Sequence, residues 1–415
     1  MKSPIHIIHT ADWHLGQTFF GYDRDAEQEA FLEWLIMTVT EQQADVLLIA
    51  GDVFDVANPS ATAQRRFYHF LKEVNRQNPA LRILVIAGNH DSAVRLEAPN
   101  PLLEELNTTI VGVIRRTDLG KIDFDSLLYP LFDKEGQRRA WCLAVPYLRQ
   151  GDYPASEEAG DTYVAGIGRM YRQLREYAES RRKEDEPLIA MGHLHAGGAE
   201  LSEDDRSERI IMGGLESVAA DIFDGFDYVA LGHIHKAQKV GGKEQIRYAG
   251  SPLPMSFSEV NYRHQVVSIR MDDTGECSVE SLPVPCTAEL KRIPSQPLPP
   301  AEVLQQLADL PEATEGEEKD GWPYIEVRVL LTEPDPGFRH RVEEALSEKA
   351  VRLASIVTSY PEQEEEAGLQ VMSYTDLQKI DPLDMLRHTF AAKYGGEMPE
   401  ELEKLFMNVM QEISI

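Results

Sequence analysis

Short apolar runs recur along the chain, and each is followed by polar residues or by a segment with helical spacing. Runs with the length and composition of buried strands lie at 5–10, 45–50, 82–87, 141–146, 188–191 and 228–231. Segments whose apolar residues recur at helical spacing lie at 26–42, 60–75 and 163–182. Buried strands that alternate with helices predict an α/β fold, with a largely parallel sheet covered on both faces.

The chain has 415 residues, which is more than one ordinary domain contains. The pattern of predicted strands and helices also changes along its length. Six prolines between Pro283 and Pro300 predict a linker or domain boundary. A small α/β unit is expected next, with strands at 324–331 and 351–360 around a helix at 339–349. The last segment predicts two helices, the second with a clean apolar face. We therefore expect domains at 1–282, 283–374 and 375–415.

The composition of the chain indicates its cellular compartment and the kinds of partner that it can bind. The chain has 41 basic and 70 acidic residues, and its net charge of −29 opposes tight unaided binding to nucleic acid. A metal ion or a partner protein would have to supply the positive charge. Its 3 cysteines form no CxxC pair, and no secretory signal pattern or membrane-spanning apolar run is present. These features predict a cytoplasmic protein with reduced thiols and no membrane contact.

Five polar motifs close apolar runs, and each contains Asp, Asn or His. They are Asp12-Trp13-His14, Gly51-Asp52, Gly88-Asn89-His90-Asp91, Gly192-His193 and Gly232-His233-Ile234-His235. Oxygen and imidazole ligands suit divalent cations such as Mn²⁺, Fe²⁺ or Zn²⁺. Residues just after parallel strands can converge on one edge of a sheet. Any one motif is compatible with a turn or a structural histidine, but the whole set predicts a two-metal phosphoesterase site.

This set of motifs resembles the calcineurin-like metallophosphoesterase superfamily, and most closely its SbcD nuclease branch, found in the bacterial SbcC–SbcD complex. The matching stretches lie at 9–16, 51–55, 88–91, 230–235 and 248–254. The resemblance implies a metallophosphoesterase β-sandwich core flanked by helices, within the α/β class. It further implies a small α/β capping domain at 283–374, and a C-terminal helical segment at 375–415 that binds an ATPase partner.

The same resemblance implies two Mn²⁺ ions, with other divalent metals possible, and a ligand set for each. The first ion would be held by Asp12, His14, Asp52 and His235. The second would be held by Asp52, Asn89, His193 and His233, so that Asp52 bridges the two. Two neighbouring cations can clamp a phosphodiester and lower the pKa of a bound water toward neutrality.

Three further residues are expected to serve catalysis. His90 would hydrogen-bond the phosphate and help to protonate or stabilise the leaving oxygen. Asp91 would orient His90. Asp55 would hydrogen-bond near the substrate or only form a turn. His195 follows the expected ligand His193 by two residues and is expected to be structural or to support a ligand.

The function implied is a Mn²⁺-dependent DNA nuclease subunit, acting as a 3′→5′ exonuclease on double strands and as an endonuclease on single strands and hairpins. It would act in DNA repair, recombination and replication. Its partners would be DNA and an SbcC-type ATPase, in a heterotetramer that contains a homodimer of this chain. The sequence has no Walker A motif, so ATP dependence would come from the partner. Two alternatives stay open: a phosphomonoesterase or cyclic-nucleotide phosphodiesterase using the same metals, and a scaffold without chemistry.

Overall fold

The computed structural model describes residues 4–154, 163–183, 186–200, 217–314, 316 and 319–360, with residues 383, 386, 387, 390, 399, 402, 403 and 406. By internal contacts, residues 1–359 and 360–415 form two separate units. In chain order, the strands are β1 (Ile5–Thr10), β2 (Val46–Ala50), β3 (Arg82–Ile86), β4 (Thr108–Val111), β5 (Leu128–Phe132), β6 (Arg138–Ala144), β7 (Leu188–His193), β8 (Tyr228–Gly232), β9 (Gln238–Val240), β10 (Lys243–Tyr248), β11 (Gln265–Met271), β12 (Cys277–Pro283), β13 (Leu290–Leu298), β14 (Tyr324–Leu330) and β15 (Arg352–Ser359). The helices are α1 (Asp25–Glu41), α2 (Ala61–Gln77), α3 (Ala93–Glu97), α4 (Asn100–Leu103), α5 (Tyr163–Glu179), α6 (Pro300–Ala308) and α7 (Phe338–Leu346).

The first sheet has the strand order β12-β11-β1-β2-β3-β4. Strands β1 to β4 are mutually parallel, and β11 and β12 extend the sheet with antiparallel pairing. Side chains alternate between its faces, because successive residues of a strand point to opposite sides. Leu47 and Ile49 pack in a core with Phe67 and Phe70 of α2, whereas Leu48 belongs to the other core. Strands β1, β2 and β3 are therefore buried on both faces, whereas β12 at the edge of the sheet is largely exposed.

The second sheet has the order β5-β6-β7-β8-β10-β9, with β6, β7, β8 and β10 parallel. Strand β2 contacts β7 and β8, and β3 contacts β6 and β7, so the two sheets pack face to face. Helix α5 adds Ile167 and Leu174 to the core of this sheet. The protein is thus α/β with a β-sandwich core flanked by helices, as the resemblance implied.

The first sheet is largely parallel and covered on both faces, as expected, but helices form only one of the two covering layers. Helices α1 and α2 cover one face of the first sheet, and the second sheet covers the other. Alternation of strands and helices predicts parallel pairing, but it does not say which strands share a sheet. The long apolar strands look the same in both arrangements, because both bury the two faces of β1, β2 and β3.

A third sheet has the order β13-β14-β15, with all strands parallel and with α6 and α7 packed against them. The prolines that predicted a linker or domain boundary lie partly within β13, so the linker is corrected to a strand while the boundary stays a prediction. Strand β13 is at the edge of its sheet, where prolines are tolerated because their missing N–H need not pair. Its register shifts between Ile293 and Leu298, the stretch that contains Pro294 and Pro297.

The unit at 360–415 lies largely outside the described residues, and so does most of the helical pair expected there. The described residues 383, 386, 387, 390, 402, 403 and 406 have helical backbone. Within this unit Nε of Arg387 lies 2.7 Å from Oε1 of Glu403. The three domain boundaries stay predictions. In the described part of the chain, every helix is too short or too polar to cross a bilayer.

Candidate metal centre

The segments that follow β1 and β2 run side by side at the edge of the first sheet. The amides of Asp12 and His14 donate to the carbonyl oxygens of Gly51 and Asp52, at 3.0 and 3.1 Å. Asp12, His14 and Asp52 all have positive φ, at 55°, 45° and 48°. Such backbone costs about 1–3 kcal/mol at a residue other than glycine and is typical of functional sites. The fold thus holds these three side chains in a fixed but strained arrangement.

The second sheet supplies three histidines to the same place. His193 ends β7, while His233 and His235 follow β8. Glycines allow the two sheets to approach closely here. A Cβ on Gly232 would lie 2.0 Å from the carbonyl oxygen of Ala50, and one on Gly88 would lie 2.1 Å from Oδ1 of Asp52. The glycines of these motifs are therefore required by packing around the acidic and imidazole groups.

The first group of facing side chains comprises Asp12, His14 and His235, which are all buried. One potential ligand atom from each lies within 4.8 Å of the others. Oδ2 of Asp12 and both ring nitrogens of His14 are buried without a hydrogen-bond partner in the described part of the chain. Buried polar atoms are nearly always paired in folded proteins. A bound cation would satisfy these atoms, so this donor set fits a divalent metal.

The second group comprises Asp12, Asp52 and His193, again with ligand atoms within 4.8 Å. The amide oxygen of Asn89 joins it, lying 2.9 Å from Nε2 of His193 and 3.0 Å from Nδ1 of His233. The rings of His193 and His233 are 5.2 Å apart. Oxygen and imidazole groups of several motifs therefore meet in one place.

Asp12 belongs to both groups, and Asp52 of the second group also lies close to His14 of the first. Oδ2 of Asp52 is 3.1 Å from Nε2 of His193 and 3.8 Å from Nε2 of His14. Its Oδ1 accepts a hydrogen bond from the amide of His90, at 2.9 Å. One carboxylate thus reaches histidines of both groups, which is the position that a bridging ligand occupies.

The carboxylates and imidazoles strongly affect each other's ionisation. Burial raises the pKa of Asp12, although His193 and His235 oppose this. Burial would also raise the pKa of Asp52, but His193 and His14 hold that pKa well below its ordinary value. Burial alone would lower the pKa of His193, yet Asp52 and Asp12 raise it to about 9. A divalent cation would stabilise the same buried anions that these imidazoles now face.

Contacts behind the rings fix the orientation of two histidines. Nδ1 of His193 lies 2.9 Å from the carbonyl oxygen of Ala50, and Nδ1 of His235 lies 3.1 Å from Oε1 of Glu259. Oε2 of Glu259 accepts a hydrogen bond from the amide of Met255, at 3.0 Å. Carboxylate and carbonyl partners of this kind commonly hold metal-binding histidines. Sequence analysis missed Glu259, because it lies in an irregular segment outside the motifs; the adjacent match at 248–254 was the only signal near it.

The three expected catalytic residues lie beside the centre. The rings of His14 and His90 are 4.8 Å apart, and Oδ1 of Asp55 is 3.4 Å from Nδ1 of His14. Nδ1 of His90 lies 2.8 Å from the carbonyl oxygen of Asp55. Half-buried His195 lies past the end of β7, and its carbonyl oxygen accepts the amide of Val218.

Asp91 makes hydrogen bonds to the backbone of two loops, and its expected role in orienting His90 stays a prediction. Its carboxylate accepts the amides of Val53, Phe54 and Gly88, at 3.2, 3.0 and 2.9 Å. Burial, followed by the charge of Asp52, raises its pKa to about 6. Asp91 thus ties the loop after β2 to the turn after β3.

Comparisons with known proteins agree with this geometry. A family model described as calcineurin-like phosphoesterase matches residues 5–237, and one described as type 5 capsule protein repressor C-terminal domain matches 286–394. The SbcD subunit of nuclease SbcCD from Rhodobacter capsulatus is 38% identical over 367 residues, covering 86% of this chain and 88% of that protein. Its counterpart from Escherichia coli strain K12 is 37% identical over 292 residues (68% and 69%), and that from Bacillus subtilis strain 168 is 29% identical over 431 residues (98% and 97%). The chain therefore belongs to the calcineurin-like phosphoesterases and, within them, to the SbcD family of nuclease subunits, and it is a metal-dependent phosphodiesterase.

Proposed function

We propose that this chain is the nuclease subunit of an SbcCD-type complex and hydrolyses DNA. The observation that supports this most is the buried group of acidic, amide and imidazole side chains with unpaired atoms at Asp12 and His14. The names of the relatives supply the substrate class, since they are nuclease subunits. The proposal includes action in the cytoplasm, in repair, recombination and replication.

In this proposal two Mn²⁺ ions occupy the centre. Asp12, His14, Asp52 and His235 hold one ion, and Asp52, Asn89, His193 and His233 hold the other. When bound, two such cations polarise a phosphodiester and lower the pKa of a coordinated water. Five of the seven ligands are buried and Asn89 and His233 are half-buried, which supports this assignment, since a water-poor site strengthens the attraction between the cations and their ligands.

His90 is proposed as the residue that acts on the substrate directly. Because Nδ1 contacts a carbonyl oxygen, that nitrogen is the one that carries a proton in the neutral ring. A second proton would therefore reside on Nε2, from which it can pass to the leaving oxygen. Asp55 fixes the ring through its carbonyl oxygen. Asp91 would orient His90 indirectly, because its carboxylate holds the loop on which Asp55 lies.

We also propose that residues 375–415 bind the ATPase partner and that the chain forms a homodimer within a heterotetramer. The expected apolar face of the last helix supports this, because a short helical pair cannot bury all its apolar surface alone. The net charge of −29 supports a partner that supplies the basic DNA-binding surface. Residues 283–374 would form the capping domain beside the centre.

The test is a cleavage assay on the full chain with Mn²⁺, with and without an SbcC-type ATPase. The substrates are hairpin DNA, blunt duplex DNA, cyclic nucleotides and p-nitrophenyl phosphate. The proposal expects Mn²⁺-dependent cleavage of the DNA substrates, with nucleotides released from 3′ ends. Turnover of p-nitrophenyl phosphate or cyclic nucleotides without DNA cleavage would favour the alternative phosphoesterase.

A variant separates chemistry from metal binding. His90→Gln should abolish DNA cleavage while the Mn²⁺ content stays within error of the unmodified chain. The matched control is His69→Gln, because His69 is exposed on α2. Loss of bound Mn²⁺ in His90→Gln would make His90 a ligand and refute its proposed role.

A further inference from the structure

A short segment after β6 runs along the edge of the candidate metal centre. The amide of Tyr147 donates to the carbonyl oxygen of Ala87, at 2.8 Å, immediately before the motif that contains Asn89. The ring of Tyr147 lies edge-on to the ring of His193, with centroids 6.2 Å apart. The residue is 8% exposed, and its hydroxyl makes no hydrogen bond within the described chain. The hydroxyl of Tyr147 can thus donate a hydrogen bond to a bound molecule, beside the proposed metal ligand His193.

Arg149 lies on the same segment after β6, two residues beyond Tyr147. Its guanidinium lies 5.5 Å from the centroid of the Tyr147 ring, within the range of a cation–π contact. Its backbone amide donates to Oδ2 of Asp152 at 2.8 Å, which holds the turn that follows. The side chain is exposed and has no ion pair with any described carboxylate. By contrast, exposed Arg181 pairs with Asp125.

A second guanidinium lies against the same turn. Arg116 donates to the carbonyl oxygens of Gly151, at 2.6 Å, and of Gly120, at 2.9 Å. It too is exposed and lacks an ion pair in the part of the chain that is described. Two arginines without an acidic partner among the described residues are notable in a chain with a net charge of −29. Guanidinium groups bind phosphate well, because their donors match its oxygens in pairs.

We infer that Tyr147, Arg149 and Arg116 form a site that binds a backbone phosphate of DNA next to the one being cleaved. This inference rests on the proposed function, since it needs a substrate with more than one phosphate. The hydroxyl of Tyr147 and the two guanidinium groups act as hydrogen-bond donors to that phosphate. Contacts of this kind position a nucleic acid without selecting its sequence. The site would therefore set how tightly DNA is held and how its strand is aligned.

The experiment compares Arg149→Gln and Tyr147→Phe with the control Arg181→Gln in the full chain with Mn²⁺. KM and kcat are measured on a blunt duplex oligonucleotide at several NaCl concentrations, and on bis(p-nitrophenyl) phosphate, which has a single phosphate. We expect Arg149→Gln to raise the KM for DNA by about tenfold, which is the loss typical of a charged hydrogen bond. The variant should also reduce by about one the slope of the logarithm of DNA affinity against the logarithm of the NaCl concentration. Tyr147→Phe keeps the ring against His193 and should raise the same KM by about three- to tenfold.

Three results would overturn the inference. Arg149→Gln could raise the KM for DNA no more than Arg181→Gln does. Arg149→Gln or Tyr147→Phe could lower kcat equally on both substrates, which would indicate an indirect effect through His193. If the unmodified chain hydrolyses bis(p-nitrophenyl) phosphate but neither binds nor cleaves the duplex, the proposed DNA function fails as well. The first two results leave that function intact.

Discussion

Two buried polar clusters lie in the same unit and differ in how their atoms are satisfied. In the candidate metal centre, Oδ2 of Asp12 and both ring nitrogens of His14 have no hydrogen-bond partner in the described chain. In the second cluster, Oε1 of Glu27 accepts the hydroxyl of Tyr324 at 2.6 Å, and Oε2 accepts Nε of Arg24 at 3.1 Å. Described residues satisfy the carboxylate of the second cluster, whereas a bound cation would satisfy the atoms of the first.

The Glu27 cluster shows what buried charge does when it serves structure. Arg352 lies over the ring of Tyr324, 3.6 Å from its centroid, and 3.4 Å from Oε1 of Glu27. The cluster therefore ties α1 to β14 and β15. A buried ion pair contributes little net stability, but removal of one partner is costly because the other charge stays buried. We expect substitutions in the two clusters to affect different properties of the protein.

Asp52→Asn should have the largest effect, on catalysis. Because Asp52 reaches histidines of both groups, its loss should lower Mn²⁺-dependent hydrolysis of bis(p-nitrophenyl) phosphate by at least about 10³-fold, or about 4 kcal/mol of transition-state stabilisation. The control is exposed Asp118→Asn. More than about a tenth of the activity left in Asp52→Asn would contradict the bridging role.

Glu27→Gln should mainly affect stability. It leaves the guanidinium groups of Arg24 and Arg352 buried without their carboxylate, so we expect a loss of about 3–5 kcal/mol in the free energy of unfolding. Urea denaturation measures this loss, and exposed Glu29→Gln on the same helix should change stability by less than about 0.5 kcal/mol. Equal stabilities for the two variants would remove the distinction between the clusters.

Glu259→Gln sharpens the comparison, because Glu259 is a satisfied carboxylate that supports the metal centre. Its loss should weaken Mn²⁺ binding by about 10- to 100-fold, since the carboxylate holds Nδ1 of His235. Titration calorimetry of the metal-free protein measures the affinity, with exposed Glu280→Gln as the control. An unchanged affinity would make Glu259 only a structural partner of the Met255 amide.

His6 should give the smallest effect, through pH. It is a satisfied buried histidine, with Nδ1 near the carbonyl oxygen of Gln42 and Nε2 near the hydroxyl of Ser268. Burial, aided by Arg270, lowers its pKa from 6.5 to about 4. The unfolded chain therefore binds the proton first, and stability is lost as the pH falls from about 6.5 toward 4.

The loss assigned to His6 is about 1 kcal/mol between pH 7.5 and pH 5.5. Urea denaturation across that range should show a shallower pH dependence for His6→Gln than for exposed His69→Gln. Identical pH dependence in both variants would refute the contribution of His6.

The sequence was most informative where a residue with a potential metal-binding side chain lies at the end of a strand. Asp12, Asp52 and His193 could be proposed as one cluster, because each closes a buried run and parallel strands end at one edge. Strands such as β1 and β2 were predictable for the same reason, since their apolar runs are uninterrupted.

Features that depend on distant pairing were not predictable. Nothing in the sequence shows which strands belong to which of the two sheets. Strand β13 was not predicted because it contains prolines, which an edge strand tolerates. Glu259 and Arg149 become significant only through the side chains that the fold brings to them. The backbone hydrogen bonds of Asp91 were not predictable either, because its amide partners at Val53 and Phe54 lie far away in sequence.

The most direct test of the metal centre is the number of Mn²⁺ ions bound per chain, measured by equilibrium dialysis followed by elemental analysis. We predict two ions for the unmodified chain and fewer in Asp12→Asn, whose carboxylate faces both groups. Glu27→Gln, assayed where it remains folded, should still bind two. If the unmodified chain retains no Mn²⁺, or if Asp12→Asn binds as many ions as the unmodified chain, the unpaired buried atoms do not form a metal site.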